Sequence, residues 1–396
     1  MLKGQDIICI STSDWDRPWG SKQQLMSRLS AHNRVLYVEY QASFLHLYLF
    51  ARFKKWNRLQ KISENIFVFT PFPLLPFGYY FRNINTINQR IILASIRKIF
   101  KKIRFRNPIL WIYPPSAVDL IDKLGEKLVL YHCIADFTNE KKNHLRTKTI
   151  LSMEKELVKR SDIVLTLTES LRERHMHKNV NTYLFPSAVD DRLFLSFLNR
   201  DIEEPKDIRG IKKPRIGLVG YLDARIIDTE LLCFLADRYP EWSVILIGPR
   251  FRYFSKFKSL TKRNNVYFLG EKENYRVPLY IKNLDVCIIP YVINEFTNNI
   301  SPLKLYEYLA LGKPVISTKL EEVQKFKDII KVSDDTEDFI KNISLALKEK
   351  DVEIVNKRLD FARENSWTER LRYVSELIEK EEKYKKEIGC SDPDIR

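Results

Sequence analysis

The chain has 396 residues, 44% hydrophobic and 12% aromatic, enough for two globular domains of roughly 200 residues each. It holds no run near the roughly 18 apolar residues that span a bilayer, which excludes a transmembrane helix. Five cysteines (Cys9, Cys133, Cys233, Cys287, Cys390) are widely spaced without a C-x-x-C, so neither a disulfide framework nor a zinc site is indicated and a reducing cytoplasm is expected. The net charge of +16 is lopsided: residues 1–200 carry 32 Lys or Arg against 17 Asp or Glu, and residues 201–396 carry 35 against 34. Between 41 and 107 the ratio reaches 13 cations to one acid, Glu64. Such a field suits an anionic partner better than mere solubility.

Short apolar runs alternate with helical patterns along the chain, the signature of parallel α/β structure. The opening IICI is too short for a signal-peptide core and reads as a first strand within 6–11. Strands follow at 34–40, 65–72, 108–113, 127–134 and 162–168, with helices such as 21–31 and 147–160 between them. A polar segment at 199–214, with two prolines and a glycine, reads as an interdomain linker. A second series runs through 215–221, 242–248, 265–270, 286–291 and 314–318, then a strand near 330–333 and charged helices to about 385. The expected division is 1–198, the linker 199–214, a second domain 215–365, and a terminal helix and tail at 366–396 packing back toward the first.

The segment SPLKLYEYLALGKPVIST (301–318) reads as a helix entering a strand. Pro302 suits the first helical position. Lys304 then falls in the first turn, where a cation opposes the helix dipole unless an anion joins it. Glu307 lies one turn on, on the same face. A diphosphate at the helix tip, with Glu307 accepting from ribose hydroxyls, resolves the conflict; a simple surface ion pair is the plainer alternative. Gly220 and Gly248 end strands where backbone can approach a ligand. The pattern is not G-x-G-x-x-G, which argues against a nicotinamide-dependent enzyme.

Together with YHCIADF, SDIVLTLTESLRER, FPSAVDDRLF, GLVGYLDARIIDTELL and ENSW, this segment resembles glycosyltransferases of the GT-B type, in particular family 4 and the teichuronic acid biosynthesis glycosyltransferases. The resemblance implies two Rossmann-like doubly wound domains facing a cleft, the first for acceptor and the second for a nucleotide-sugar donor. It implies that Glu307 binds ribose, Lys304 the diphosphate, and that Ser301 and Pro302 lie where backbone amides approach phosphates. Asn299 stands where the family often has a glutamate that touches the donor sugar. Tyr221 and Ile226 replace the family's usual arginine and lysine after the first glycine, with Arg225 or Arg250 as substitutes.

In the first domain, YHCIADF departs from the Y-x-C-x-D-D pattern by Ala135. Asp136 is a candidate for positioning or deprotonating an acceptor hydroxyl and His132 for contacting sugar; a turn carboxylate and a packed histidine are the structural alternatives. The loop STSDWDRPWGSKQQ places Trp15 and Gly20 near the cleft. Asp14 and Asp16 form a D-x-D, but the resemblance implies that no metal is needed and no cofactor beyond the nucleotide-sugar substrate. Segments 43–61 and 82–107 mix apolar residues with cations, with Ile84, Ile87 and Ile91 on one stripe. They suit an anionic bilayer surface; a core-facing stripe with a solvated back is the alternative, and no nucleic-acid module is seen.

The expected activity is metal-independent, retaining transfer (class EC 2.4, hexosyltransferase type) from a nucleotide-sugar, UDP-linked, to a glycan or lipid-linked acceptor in cell-surface polysaccharide synthesis, at the inner face of the cell membrane. The alternatives are a sugar-nucleotide epimerase or hydrolase and a non-catalytic, membrane-associated assembly partner.

Overall fold

The computed structural model describes residues 1–16, 19–45, 56–137, 144–198, 200, 203–250 and 254–391. The chain divides into two compact units, Met1–Pro186 with Arg370–Arg396, and Ser187–Glu369. The first unit therefore ends before 198, and the 199–214 segment falls inside the second, where it carries a short helix, Lys206–Arg209.

The first unit is built on an eight-stranded sheet ordered β3-β4-β2-β1-β5-β6-β7-β8. Its strands are β1 Asp6–Ile10, β2 Arg34–Val38, β3 Arg58–Ser63, β4 Ile66–Thr70, β5 Ile109–Ile112, β6 Leu128–Cys133, β7 Ile163–Thr166 and β8 Thr182–Leu184. All pairs are parallel except β3 with β4. The central strands are buried on both faces, which is why they read as unbroken apolar runs. Strand β3, RLQKIS, is a largely exposed polar edge; it corrects the reading of 43–61 as a single amphipathic segment, whose residues 46–55 lie outside the described ones.

The helix Arg82–Ile103 packs on this sheet through Asn85, Asn88, Gln89, Ile92, Leu93, Ile96 and Ile99. The stripe Ile84, Ile87 and Ile91 faces away from the core, with Ile87 and Ile91 exposed. The core-facing alternative for that stripe is thereby overturned. The long helix Trp367–Ser391 reaches this unit through Lys127–Glu382 and Lys385–Asp162 ion pairs of 2.7 and 2.6 Å.

The second unit carries a six-stranded, all-parallel sheet ordered β11-β10-β9-β12-β13-β14. Its strands are β9 Arg215–Val219, β10 Ser243–Ile247, β11 Val266–Gly270, β12 Val286–Ile289, β13 Val315–Thr318 and β14 Lys331–Ser333. This is the doubly wound Rossmann order, in which ligands bind beyond the carboxyl ends of the strands at the reversal between its first and fourth members, here β9 and β12.

Candidate functional site

At the carboxyl end of β9 and β10 the chain turns through Gly220 (φ +140°) and Gly248 (φ +142°). Only glycine takes such angles without strain. A Cβ on Gly248 would fall 1.9 Å from the Gly220 carbonyl oxygen, so the two turns pack backbone on backbone. A Cβ on Gly220 would fall 3.0 Å from both Cε and Nζ of Lys304. The lysine thus lies against the glycine where a ligand phosphate could be reached.

Lys304 is the second residue of the helix Leu303–Leu309. Pro302 precedes that helix as its N-cap, with extended ψ of 107°, and is one position earlier than expected. The helix is held in place because Val219 N–H donates to the Tyr308 hydroxyl at 2.8 Å. Lys304 is buried, and its Nζ stands 4.7 Å from the Tyr291 ring centroid. An ammonium over a tyrosine face is favourable. Among the described residues it has no carboxylate at ion-pair distance, Glu307 included, so the simple ion pair is not what holds these two residues together.

Glu307 is half-buried. Burial pushes its carboxyl up to about 7, against the pull of Lys304 and with a further push from Asp190. A carboxylate so near neutrality is poised between accepting hydrogen bonds and carrying a proton.

The other expected donor residues have internal partners. The Ser301 carbonyl accepts from Ser187 Oγ at 3.1 Å, and its hydroxyl lies 3.4 Å from that of Tyr306. Asn299 Nδ2 donates to the Glu295 carbonyl at 3.0 Å. Tyr221 is exposed at the mouth of the turn. Arg225 is not a spare cation, since its Nε lies 3.0 Å from both Asp223 oxygens; Arg250 is at the surface. Gly220, Gly248 and Lys304 are the residues the fold brings together, with Glu307 one turn along the same helix. Tyr291 and Tyr308 were missed; their only signal was position, at the end of an apolar strand and one helical turn after Lys304 on the same face.

In the first unit several expectations are corrected. Asp136 is buried with both oxygens in the fork of Arg174, one at 2.8 Å, so its lone pairs are committed and it is badly placed as a proton acceptor. His132 is buried, stacked on Tyr113 at 4.8 Å and edged by Phe185 at 5.1 Å. Burial, helped by Lys22, depresses it to about 3, so it is a neutral packed ring. Trp15 is core, its ring 5.0 Å from Tyr37 and its backbone N–H donating to Glu39 Oε1 at 2.8 Å. Gly20 caps the helix Ser21–Leu29, its N–H donating to Gln23 at 3.2 Å. In the D-x-D, Asp14 is buried and Asp16 exposed, so the two do not form a matched pair.

Lys22 was also missed. It lies in the first turn of Ser21–Leu29, 5.2 Å from the Tyr113 ring, and burial lowers it to about 8. Three side chains from β6 and two helices also meet: Cys133, Glu154 and His175, all buried, with Sγ–Oε1, Sγ–Nε2 and Nε2–Oε1 separations of 3.6, 3.7 and 3.6 Å. Donors of these kinds could hold a metal ion, although the expectation was for none. Glu154 also accepts from the Tyr131 hydroxyl at 2.7 Å. Cysteine spacing gave no hint because the three residues lie on separate elements.

Residues 214–349 match the family described as Glycosyl transferases group 1. A protein of Bacillus subtilis (strain 168) named as the teichuronic acid biosynthesis glycosyltransferase TuaH is 26% identical over 195 residues, which is 47% of each chain. That match spans about half the length of the relative. Among solved structures, sucrose-phosphate synthase of Thermosynechococcus elongatus aligns with TM-score 0.68 and 15% identity over 95% of this chain and 98% of its own. The E. coli trehalose-6-phosphate structure bound with UDP-2-fluoro glucose gives 0.70 and 13% over 94% and 99%. Anabaena HepE in complex with UDP and glucose gives 0.67 and 14% over 95% and 100%. At these identities the structural likeness establishes the fold. Residues 214–349 thus carry the group 1 match, and the chain as a whole has the GT-B fold, with two Rossmann-like sheets.

Proposed function

We propose that the chain transfers a sugar from a nucleotide diphosphate donor, UDP-linked, to a glycan or lipid-linked acceptor of a cell-surface polysaccharide. The observation that carries this reading is Lys304: a buried ammonium without a carboxylate partner among the described residues, held against the Gly220 turn inside a group 1 domain. Solved structures of the same fold hold UDP or a UDP-sugar. The donor diphosphate supplies the countercharge that the helix tip lacks, and Glu307 takes the ribose hydroxyls.

As the bond from the sugar C1 to the phosphate oxygen breaks, negative charge grows on the departing diphosphate. Lys304 stabilises that charge electrostatically without a metal. The acceptor oxygen bonds to C1 from the face the diphosphate leaves, so configuration is retained, and the acceptor proton passes to a phosphate oxygen of the leaving UDP. With Asp136 committed to Arg174, this route needs no side-chain base.

We further infer that the protein works at an anionic inner membrane face, through the outward Ile87 and Ile91 and the cations of 82–107. The test is isothermal titration of UDP into wild type and Lys304→Ala. Binding to wild type with loss in the variant is expected; equal affinity for both would move the diphosphate elsewhere.

A further inference from the structure

The first unit contains a cavity of about 280 Å³ that none of the residues above explains. It opens beyond the carboxyl ends of β2, β4 and β5, the side on which parallel sheets bind ligands. Its walls come from Tyr40–Leu45 after β2, Leu74–Tyr80 after β4, and the first turns of Arg82–Ile103.

Two features make it a built site. The first is polar. Gln41 and Gln89, 9% and 1% exposed, both line the cavity. Gln89 Nε2 donates to Gln41 Oε1 at 3.1 Å, which leaves Gln41 Nε2 and Gln89 Oε1 buried without partners among the described residues. Reversing both amides exchanges the roles and still leaves one donor and one acceptor open. A hydroxyl is the group that donates and accepts at once, so a sugar hydroxyl matches the chemistry of this open pair.

The second is apolar. Phe44, Leu45, Leu75 and Phe77 are 57%, 43%, 41% and 52% exposed around this region. Phe77 holds φ +66°, a left-handed conformation that a bulky residue rarely takes and that tends to persist at functional sites. The loop bearing it is stapled down, since Asn88 both accepts from Leu75 N–H at 2.9 Å and donates to the Leu75 carbonyl at 3.0 Å. Rim and floor together are amphipathic. The volume lies just below the roughly 300–1,000 Å³ of small-ligand pockets, room for a ring and not for a chain, which must leave over the rim.

We propose that this cavity receives the acceptor as a glycoside of a hydrocarbon chain, with a sugar hydroxyl bridging Gln41 and Gln89 and the chain lying over Phe77 and Leu75. This rests on the reading of the protein as a transferase to a lipid-linked acceptor. It names the residues that would recognise that acceptor.

The experiment uses n-octyl glycosides of glucose, galactose and mannose below their micelle concentrations, with the free sugars alongside. Each is titrated into the full chain as wild type, Gln41→Leu, Gln89→Leu and Phe77→Asn, and UDP is titrated into every protein as an independent readout. Asparagine tolerates the left-handed backbone, so Phe77→Asn should fold even if a buried glutamine variant does not. At least one octyl glycoside should bind wild type about tenfold more tightly than its free sugar, and each glutamine variant should lose about tenfold. Phe77→Asn should narrow the gap between octyl glycoside and free sugar, with UDP affinity unchanged throughout. Equal octyl glycoside affinity in all four proteins, or no advantage of the chain in wild type, would overturn the proposal. Wild type that binds UDP but no octyl glycoside overturns the acceptor pocket alone; the reverse result overturns the donor reading alone.

Discussion

Lys304 and Gly220 touch: a methyl group on the glycine would stand 3.0 Å from the lysine Nζ. The contact ties the conformation of a strand end to the position of one ammonium. At +140°, φ of Gly220 also disfavours any side chain. Gly220→Ala should therefore cost about 1–2 kcal/mol of stability and displace the lysine, weakening UDP binding nearly as much as Lys304→Ala. Chemical denaturation and UDP titration on the same samples separate the two effects. Wild-type UDP affinity in the alanine variant would refute the coupling.

Gly248→Ala should be worse, because its Cβ meets backbone rather than the end of a flexible side chain, at 1.9 Å from the Gly220 oxygen. A loss of more than about 3 kcal/mol is expected, by strain at a special backbone position. Urea midpoints of the two glycine variants measure it, and a smaller loss at Gly248 than at Gly220 would contradict the packing described.

Glu307 provides a pH signature. Its folded value of about 7 lies above the ordinary 4.5, so between these values the folded state holds more protons than the unfolded one. Stability contributed by this residue therefore falls as pH rises through that window. Glu307→Gln should be more stable than wild type by about 1–3 kcal/mol near pH 8 and nearly equal to it below about pH 4. Uridine, which carries no phosphate to titrate, should bind wild type better above about pH 7 than below it. A difference between Glu307→Gln and wild type that does not change with pH would remove the assignment.

Asp136 separates a structural carboxylate from a catalytic one. Its fork with Arg174 predicts that Asp136→Asn destabilises by about 1–3 kcal/mol, as for a lost charged hydrogen bond. The folded variant should keep its transfer rate within about tenfold, whereas loss of a general base costs about 10²–10⁴-fold. Stopped assays at a temperature where the variant is folded decide between them.

For the membrane reading, Ile87→Ser and Ile91→Ser alter exposed side chains and should leave the melting temperature within a degree or so. Both should weaken sedimentation with phosphatidylglycerol vesicles. Wild-type binding should fall between about 0.05 and 0.5 M salt, as screening shortens the reach of the cations. Unchanged sedimentation of the double variant would reject this face.

The central strands were legible because strands buried on both faces must be apolar throughout, as in β1, β5, β6 and β10. Strand β3 was not, because an edge strand exposes polar residues, and neither was β8, whose three residues at the other edge include only one apolar side chain that is not aromatic. Around Lys304, the clash of a cation with a helix start was visible in SPLKLYE. The contacts that position it were not, since Tyr291 lies outside the helix and Tyr308, one turn on, acts through a hydrogen bond to the remote Val219.

The amino-acid order alone determined two series of parallel strands, an uneven distribution of charge, and a lysine in the first turn of a helix, since these rest on local periodicity and composition. Tertiary structure decided which candidates keep their chemistry. It locked Asp136 onto Arg174, buried His132 and Trp15 among aromatic rings, turned Ile87 and Ile91 outward, and left the Gln41–Gln89 amides half-satisfied. The reason is physical: a side chain's reactivity depends on its desolvation and on its partners, and both are set by residues far away in sequence.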